Sequence, residues 1–270
     1  MKAFLLSCTF LFSISLFAQK KEPSPIQIFD EKTGTGLNIY GSNSSIMPYT
    51  MELSVNQKNL KSNKKFPLKV VLEPNADKVL IASLTVDNKK KGWSYGSQFT
   101  YYPGNYQAVH DDTFAYALPY PVGEKYLMSQ GYNGPFSHAG KNALDFTMPE
   151  GTKVHAARGG IVTEIKEDSN RGCANRDCVG LANLITIMHE DGSFADYVHL
   201  KKNGALVEVG DQVKRGDYIG LSGNTGFTSG PHLHFEVYMP APGNHKTIRT
   251  QFETAPGQKE HLKKKQYQAF

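Results

Sequence analysis

The residues best suited to chemistry in this 270-residue chain are two histidines that alternate with apolar residues. In His232-Leu233-His234-Phe235 the period of two is that of a β-strand, which predicts both imidazoles on one face, about 7 Å apart. Leu233 and Phe235 are then expected to face a core. Two imidazoles on one rigid strand can hold a metal ion or work beside one. Taken alone, the pattern equally fits two exposed histidines on a half-buried strand.

Three earlier side chains are candidates to join this pair. Asp145 lies in a short predicted strand on the face opposite its apolar neighbours, and His138 precedes it by seven positions. Such a carboxylate can cap a turn, form an ion pair, or share a metal with His138. His199 lies in a further apolar run, Tyr197-Val198-His199-Leu200. His189, just before an Asp-Gly turn, is predicted to end a strand and not to bind metal.

The elements that must position these residues are predicted to be strands. The chain has 25 Gly and 14 Pro, which recur at short intervals between aromatic and β-branched runs, and it shows few 3.6-residue patterns. We therefore predict an all-β fold. Residues 19–115 lack any cluster of His, Cys or acidic residues and are predicted to form a β-sandwich-like domain. Its strand candidates are residues 38–41, 49–55, 68–72 and 79–86.

The remaining chain divides into two parts. Residues 116–245 contain all the candidate site residues and are predicted to form an antiparallel β-sheet domain. Residues 246–270 form a late strand and a lysine-rich tail, and we expect the strand to pack on the first domain. Cys173 and Cys178 lie in a polar loop, where a disulfide is the natural pairing in an oxidising compartment. A metal-binding pair is disfavoured because no second cysteine pair exists.

The N-terminus and the net charge bear on location and partners. Residues 1–18 have the pattern of a secretory signal peptide: Lys2, an apolar run too short to span a membrane, and Ala18. We predict export to the periplasm or the extracellular space, and no transmembrane segment in the mature chain. The formal net charge of +5 favours attraction to an anionic envelope polymer. Nucleic acid is a poor partner for an exported chain without a basic and aromatic platform.

Three motifs in one order resemble the M23 family of zinc metallopeptidases, the lysostaphin and LytM type. They are His138 with Asp145, Tyr197-x-His199-Leu200, and the run from Ser229 to Val237 that contains His232 and His234. The resemblance covers roughly residues 118–240. One departure is that six residues separate His138 from Asp145, where the better-known members have three.

The resemblance implies that His138, Asp145 and His234 bind one Zn²⁺, with His199 and His232 as catalytic histidines that do not bind it. Three protein ligands leave a fourth position for water, as in catalytic zinc sites. A neutral imidazole can then accept a proton from that water. Two further residues have alternative roles, Tyr132 from the resemblance and Glu236 from its place on the same strand face as the histidines. Tyr132 either supports an oxyanion or packs, and Glu236 either contacts a ligand histidine or is a solvated strand-end acid.

These features predict an exported zinc-dependent endopeptidase that hydrolyses the peptide crosslinks of bacterial peptidoglycan. The alternative is a catalytically silent protein of the same fold that binds the envelope or regulates an amidase. The sequence leaves open which bond is cut and which of His199 and His232 is the general base. It also leaves open the oligomeric state and any inhibitory role of the first domain.

Overall fold

A computed structural model describes residues 24–243 and 245–270, so the predicted signal peptide lies outside the described residues. Within those ranges the regular structure is almost entirely β, and the one helix is the 3-10 helix Arg176–Leu181. The all-β prediction is confirmed. No helix in the described ranges combines the length and the apolar composition that a bilayer crossing requires.

The N-terminal region contains two antiparallel sheets, ordered β1-β2-β6-β4 and β5-β3-β7. Strands of both sheets contribute to one apolar core that includes Ile39, Leu53 and Leu72. Four of the strands coincide with the four predicted from the sequence, and the sandwich-like arrangement of the two sheets stays a prediction. The strands are β1 (Ile26–Thr33), β2 (Gly36–Asn43), β3 (Tyr49–Lys58), β4 (Leu60–Ser62), β5 (Leu68–Leu72), β6 (Ala76–Val86) and β7 (Ser94–Pro103).

The C-terminal region is built on a nine-stranded sheet, in the order β17-β12-β14-β15-β20-β10-β9-β24 with β21 added beside β20. Three small sheets, β11-β18-β16, β13-β19 and β23-β22-β8, surround it. The first strands are β8 (Ala115–Tyr116), β9 (Lys125–Gln130), β10 (Ala143–Thr147), β11 (Lys153–His155), β12 (Gly160–Lys166), β13 (Gly172–Cys173), β14 (Leu184–Met188) and β15 (Phe194–Val198). The others are β16 (Leu200–Ala205), β17 (Gln212–Val213), β18 (Tyr218–Ser222), β19 (Gly226–Phe227), β20 (His232–Met239), β21 (Lys246–Ile248), β22 (Gln251–Ala255), β23 (Gln258–Glu260) and β24 (Gln266–Gln268).

The central strand β20 has the two faces that its alternation predicts. Leu233 and Phe235 are at most 1% exposed and belong to the core of the large sheet. His232 and His234 lie on the other face, where each is partly exposed. The apolar face therefore fixes the register of β20, because a slip of one residue would turn both histidines into the core.

The C-terminal segment does not pack on the first domain, so that expectation is wrong. β21 and β24 extend the large sheet, and β22 pairs in parallel with β8. Phe252 is fully buried, with its ring centroid 5.8 Å from that of Phe235. Tyr267 in β24 is also a core residue. These aromatic side chains bury apolar surface of the second core, and β24 covers what would otherwise be an open edge at β9.

Candidate metal centre

Two of the predicted ligands are cross-strand neighbours. β10 and β20 run antiparallel, and their register pairs Asp145 directly with His234. Side chains paired in this way lie on the same face with their Cβ atoms about 5 Å apart. Asp145 Oδ1 is accordingly 3.0 Å from His234 Nδ1. The sheet register therefore brings together two residues that are far apart in the chain.

His138 completes the group from the loop before β10. Its Nε2 lies 3.2 Å from His234 Nδ1 and 3.2 Å from Asp145 Oδ1. Its Nδ1 is 3.1 Å from the carbonyl oxygen of Gly131, so this nitrogen donates to the backbone and Nε2 is left with its lone pair. The six-residue spacing is absorbed by a turn in which Gly140 has φ +75°. The unusual gap thus leaves the imidazole within reach of the other two ligands.

The donor triangle fits a small divalent cation. Its three sides measure 3.0 Å, 3.2 Å and 3.2 Å. Ligand atoms about 2.0–2.1 Å from a tetrahedral metal lie about 3.3 Å from one another, close to these separations. Two imidazole nitrogens and one carboxylate oxygen form a donor set that suits zinc. His138, Asp145 and His234 can therefore hold a metal ion while leaving a coordination position for water or substrate.

Gln130 holds the carboxylate of Asp145 in place. It lies opposite Asp145 in the pairing of β9 with β10, and its Nε2 donates to Asp145 Oδ2 at 2.8 Å. Its Oε1 accepts from the backbone N–H groups of Phe136 and Ser137, at 3.1 Å and 3.3 Å. One amide thus orients the carboxylate so that Oδ1 faces the imidazoles, and it also fixes the loop that carries His138.

Glu236 lies on the outer side of His234. Its Oε2 is 3.7 Å from His234 Nε2 and has no hydrogen-bond partner within the described ranges, although it is buried. Its Oε1 is 2.9 Å from Nε2 of His245. If His234 binds metal through Nδ1, its proton resides on Nε2 and faces this carboxylate. The predicted contact between Glu236 and a ligand histidine is thereby favoured over a solvated strand-end acid.

His199 and His232 face the same cleft with their outer nitrogens. His199 occupies the bend between β15 and β16 at φ +67°, a conformation uncommon for residues other than glycine, and its Nδ1 is 2.6 Å from the carbonyl oxygen of Thr225. His232 Nδ1 is 2.8 Å from the carbonyl oxygen of Gly230. A backbone carbonyl can only accept, so each Nδ1 carries the proton and each Nε2 is an acceptor. The two ring centroids are 4.5 Å apart.

The environment separates the protonation states of these groups. Burial, followed by repulsion from His232 and His234, lowers the pKa of His199 to about 3. Burial alone would raise the pKa of Asp145, but the neighbouring imidazoles of His138 and His234 outweigh it and hold that pKa well below its usual range. Burial also opposes the charged form of His234, yet the carboxylates of Asp145 and Glu236 raise its pKa to about 9. His199 is thus neutral at physiological pH, and the lone pair of its Nε2 is free.

The metal triangle lies in a cleft of about 1050 Å³. One part of its wall is the stacked pair Phe136 and Phe227, whose ring centroids are 5.9 Å apart. Another is the 3-10 helix Arg176–Leu181, which begins inside the loop that the Cys173–Cys178 disulfide closes and continues past Cys178. A cleft with an apolar wall and a few convergent polar groups is typical of a ligand site.

The disulfide loop also supports the histidine wall. β13, which ends at Cys173, pairs in parallel with β19. The backbone N–H of Thr228, just after β19, donates to the carbonyl oxygen of Cys173 at 3.0 Å. Thr228 Oγ1 is in turn 3.3 Å from His232 Nδ1. The cysteine pair that the sequence predicts therefore tethers the segment next to His232.

Tyr132 does not fit the suggested oxyanion role. Its hydroxyl donates to the carbonyl oxygen of Thr250 at 2.7 Å, and Tyr132 is not among the residues that line the cleft. Burial raises its pKa to about 12, against the smaller opposing effects of Thr250 and Arg249. The packing alternative is the one that this geometry supports.

Sequence reasoning missed three groups that orient the site: Gln130, His245 and the Thr225 carbonyl. Each approaches a site residue through strand pairing or a turn, and none belongs to a local pattern in the sequence. His189, predicted not to be a ligand, is buried and its Nδ1 is 2.8 Å from the carbonyl oxygen of Gly159. It takes no part in the donor triangle.

Comparison with known proteins points to one family. Residues 139–248 match the model of Peptidase family M23, a range that includes Asp145, His199, His232 and His234 and begins one residue after His138. Peptidoglycan DD-endopeptidase ShyA of Vibrio cholerae is 34% identical over 159 residues, which cover 55% of this chain and 34% of ShyA. Lysostaphin of Staphylococcus simulans is 33% identical over 152 residues, which cover 56% of this chain and 22% of lysostaphin.

A solved structure of the lysostaphin catalytic domain from Staphylococcus simulans is 30% identical, with a TM-score of 0.35, and the match covers 46% of this chain and 86% of that domain. The chain spans about a third or less of the length of the two curated relatives. The family match falls on the region that holds the donor triangle and both further histidines. The C-terminal region, over residues 139–248, therefore belongs to peptidase family M23.

Proposed function

We propose that the protein is an exported zinc-dependent endopeptidase that hydrolyses peptide crosslinks of bacterial peptidoglycan. The observation that carries this proposal is the convergence of His138, Asp145 and His234 on one point, beside two imidazoles that each present an acceptor nitrogen to the same cleft. The names of the relatives support the substrate: three are named peptidoglycan DD-endopeptidases and one is named a glycyl-glycine endopeptidase.

His138, Asp145 and His234 would hold the zinc, which when bound supplies an acidified water and polarises a peptide carbonyl. Gln130 and Glu236 keep the ligand side chains oriented, as outer hydrogen-bond partners do in metal sites. A peptide extended along the cleft would place its scissile carbonyl over the triangle, next to Phe136 and Phe227.

His199 and His232 would move the protons. Each is fixed through Nδ1 by a backbone carbonyl, so neither ring can turn away from the cleft without losing that bond. The Nε2 of one ring accepts the proton of the attacking water, and an imidazolium then donates a proton to the leaving amine nitrogen. Both rings have the geometry of a proton acceptor. Experiment therefore has to assign which ring accepts the proton of water and which donates to the leaving amine.

Export is proposed from the predicted signal peptide at residues 1–18. Mass spectrometry of the protein recovered from its native envelope or medium tests this point. The expected mature chain begins at Gln19, and recovery of the intact N-terminus from the cytoplasm would contradict export.

The catalytic proposal is tested by digesting purified crosslinked peptidoglycan with the zinc-loaded chain. Soluble fragments are expected with zinc, and neither after chelation nor with His199→Ala. The matched control is Asp77→Ala, an exposed carboxylate in the N-terminal region, which should digest like the wild type. Equal release after chelation or by His199→Ala would reject the mechanism.

A fully zinc-loaded protein that releases nothing from any wall type would favour the silent envelope-binding alternative. Mass spectrometry of the fragments identifies the bond.

A further inference from the structure

The cleft around the metal triangle carries cations that form no ion pair with a carboxylate among the described residues. In the described part of the chain, the carboxylates that line it are Asp145 and Glu236, and both contact imidazoles. Within residues 24–243 and 245–270, no carboxylate forms an ion pair with any of the four lining cations. Those cations are Lys141, Lys166, Arg176 and Lys264.

The four cations lie on both sides of the metal triangle. Lys166 ends β12, and Arg176 begins the 3-10 helix of the disulfide loop. β12 is three strands from β20 on one side, and β24, just after Lys264, is three strands from β20 on the other. With neighbouring strands about 4.8 Å apart, each outer position is about 14 Å from the centre at the backbone. Long Lys and Arg side chains can cover much of that distance.

We propose that this cleft selects peptides with free carboxylates on the residues that flank the scissile bond, and that it discriminates against uncharged bridges such as oligoglycine. The inference rests on the proposed function, because it assigns a substrate class to the same site. Crosslinks whose flanking residues keep free carboxylates offer the negative charges that the four cations lack within the protein.

Lys141, Arg176 and Lys264 are exposed, and Lys166 is partly buried. Two of the four cations have features that suit them to bind a carboxylate. Lys166 Nζ donates to the carbonyl oxygen of Gly180, which holds the ammonium group at the cleft wall before any substrate binds. Arg176 presents a planar guanidinium that can bind a carboxylate through two parallel hydrogen bonds. We expect each engaged cation to contribute about two- to tenfold in affinity.

Binding, measured independently of turnover, tests the inference. The full chain carrying His199→Ala is loaded with zinc and titrated with a crosslinked muropeptide dimer. The second ligand is the same dimer after its carboxyl groups have been converted to primary amides with carbodiimide and ammonia. The free-carboxylate dimer is expected to bind about tenfold or more tightly. This ratio should shrink as salt rises from low to high concentration, because salt screens the charges.

Variants without these charges test whether the preference for free carboxylates comes from the cations of the cleft. Replacing Lys141, Lys166, Arg176 and Lys264 together by Gln should reduce the ratio of the two affinities to within about threefold. Arg176→Gln alone should lower affinity for the free-carboxylate dimer, and Arg176→Lys should restore most of it. The matched control is Lys89→Gln with Lys90→Gln, which removes exposed lysines from a turn of the N-terminal region and should leave the ratio unchanged.

The outcomes separate this inference from the proposed function. Equal affinities, tighter binding of the amidated dimer, no binding of either dimer, or a preference that survives in the fourfold Gln variant would overturn the inference. If the preference is found but the wild-type chain hydrolyses neither dimer, the endopeptidase proposal fails and the inference stands. Where the wild type does cleave, the ratio of its kcat/KM values for the two dimers should follow the ratio of affinities.

Discussion

The two regions of this chain bury very different side chains. The core of the N-terminal sheets is aliphatic apart from Met51, and its buried polar residues, such as Asn43, are satisfied by backbone carbonyls. All nine histidines lie at or after His110, and the C-terminal region buries Asp145 and Glu236 as well. Burying ionisable groups is costly unless they are paired. The side chains buried in the N-terminal region therefore stabilise the fold of that region. The C-terminal region instead buries ionisable groups, at a cost in stability, and so holds the site residues in position.

The largest effect is expected from a change in the metal ligands of the C-terminal region. Asp145→Ala removes the one anionic ligand and leaves two buried imidazoles facing each other. We expect zinc affinity to fall by more than about 100-fold, since even outer partners of metal ligands cost 10–100-fold. Hydrolysis should fall below detection. Metal titration and wall digestion measure both, and retention of wild-type zinc affinity would contradict the ligand assignment.

Alanine at His199 or His232 should separate metal binding from proton transfer. Each variant is expected to lower kcat by about 10²–10⁴-fold while zinc content stays at one ion per chain. The reason is that both rings face the cleft without belonging to the donor triangle. Steady-state kinetics together with metal analysis checks this. Loss of zinc in either variant would make that histidine a ligand instead.

A core substitution in the first region should affect stability and not the site. Leu53 is fully buried, and Leu53→Ala is expected to cost about 2–5 kcal/mol in the unfolding of the N-terminal region. Zinc affinity of the folded protein should be unchanged, because no ligand or ligand partner lies in that region. Denaturant unfolding followed by metal titration tests this. A parallel loss of zinc affinity would show that the two regions are energetically coupled.

A variant of Gln130 tests the difference between metal ligands and the residues that orient them. Gln130→Ala removes the amide that donates to Asp145 Oδ2 and accepts from the loop carrying His138. We expect zinc affinity to fall by about 10–100-fold with little change in global stability. The neighbouring Ser129→Ala is the control, since its hydroxyl contacts only the backbone of Asp145, at 3.3 Å. Equal effects of the two variants would argue against a specific orienting role.

The last expected effect is a pH dependence of the stability of the C-terminal region. Burial lowers the pKa of His189 to about 4 in the folded chain, below its ordinary value of 6.5. Between these values the unfolded chain binds a proton that the folded chain does not. Stability should therefore fall as pH drops from 6.5 to 4, by up to about 1.4 kcal/mol per pH unit.

His189→Phe, which keeps an aromatic ring beside Tyr116, should flatten this slope in the C-terminal region. The N-terminal sheets, residues 26–103, contain no histidine and serve as the internal control. Unfolding of each region followed between pH 4 and 7 is the measurement. An unchanged slope in the variant would assign the titration to other groups.

Much of the fold and of the site was predictable because it depends on local patterns. Alternation in β20 predicted which face carries His232 and His234, since a strand has only two faces. Four N-terminal strands followed from apolar runs between turn residues. Strands β1 and β7 were not predicted, because their sequences are largely polar and their residues mostly exposed. The packing of Phe252 and Tyr267 was also missed, because no local pattern indicates which of two cores an aromatic residue enters.

The sequence by itself determined which side chains are available for chemistry, their order, and the family to which they point. Only the tertiary structure decided that Asp145 lies opposite His234, that Gln130 holds the carboxylate, and that cations line both sides of the cleft. The physical reason is that strand register and sheet order are set by contacts between distant segments. The identity and local spacing of residues, in contrast, can be read directly from the sequence of each segment.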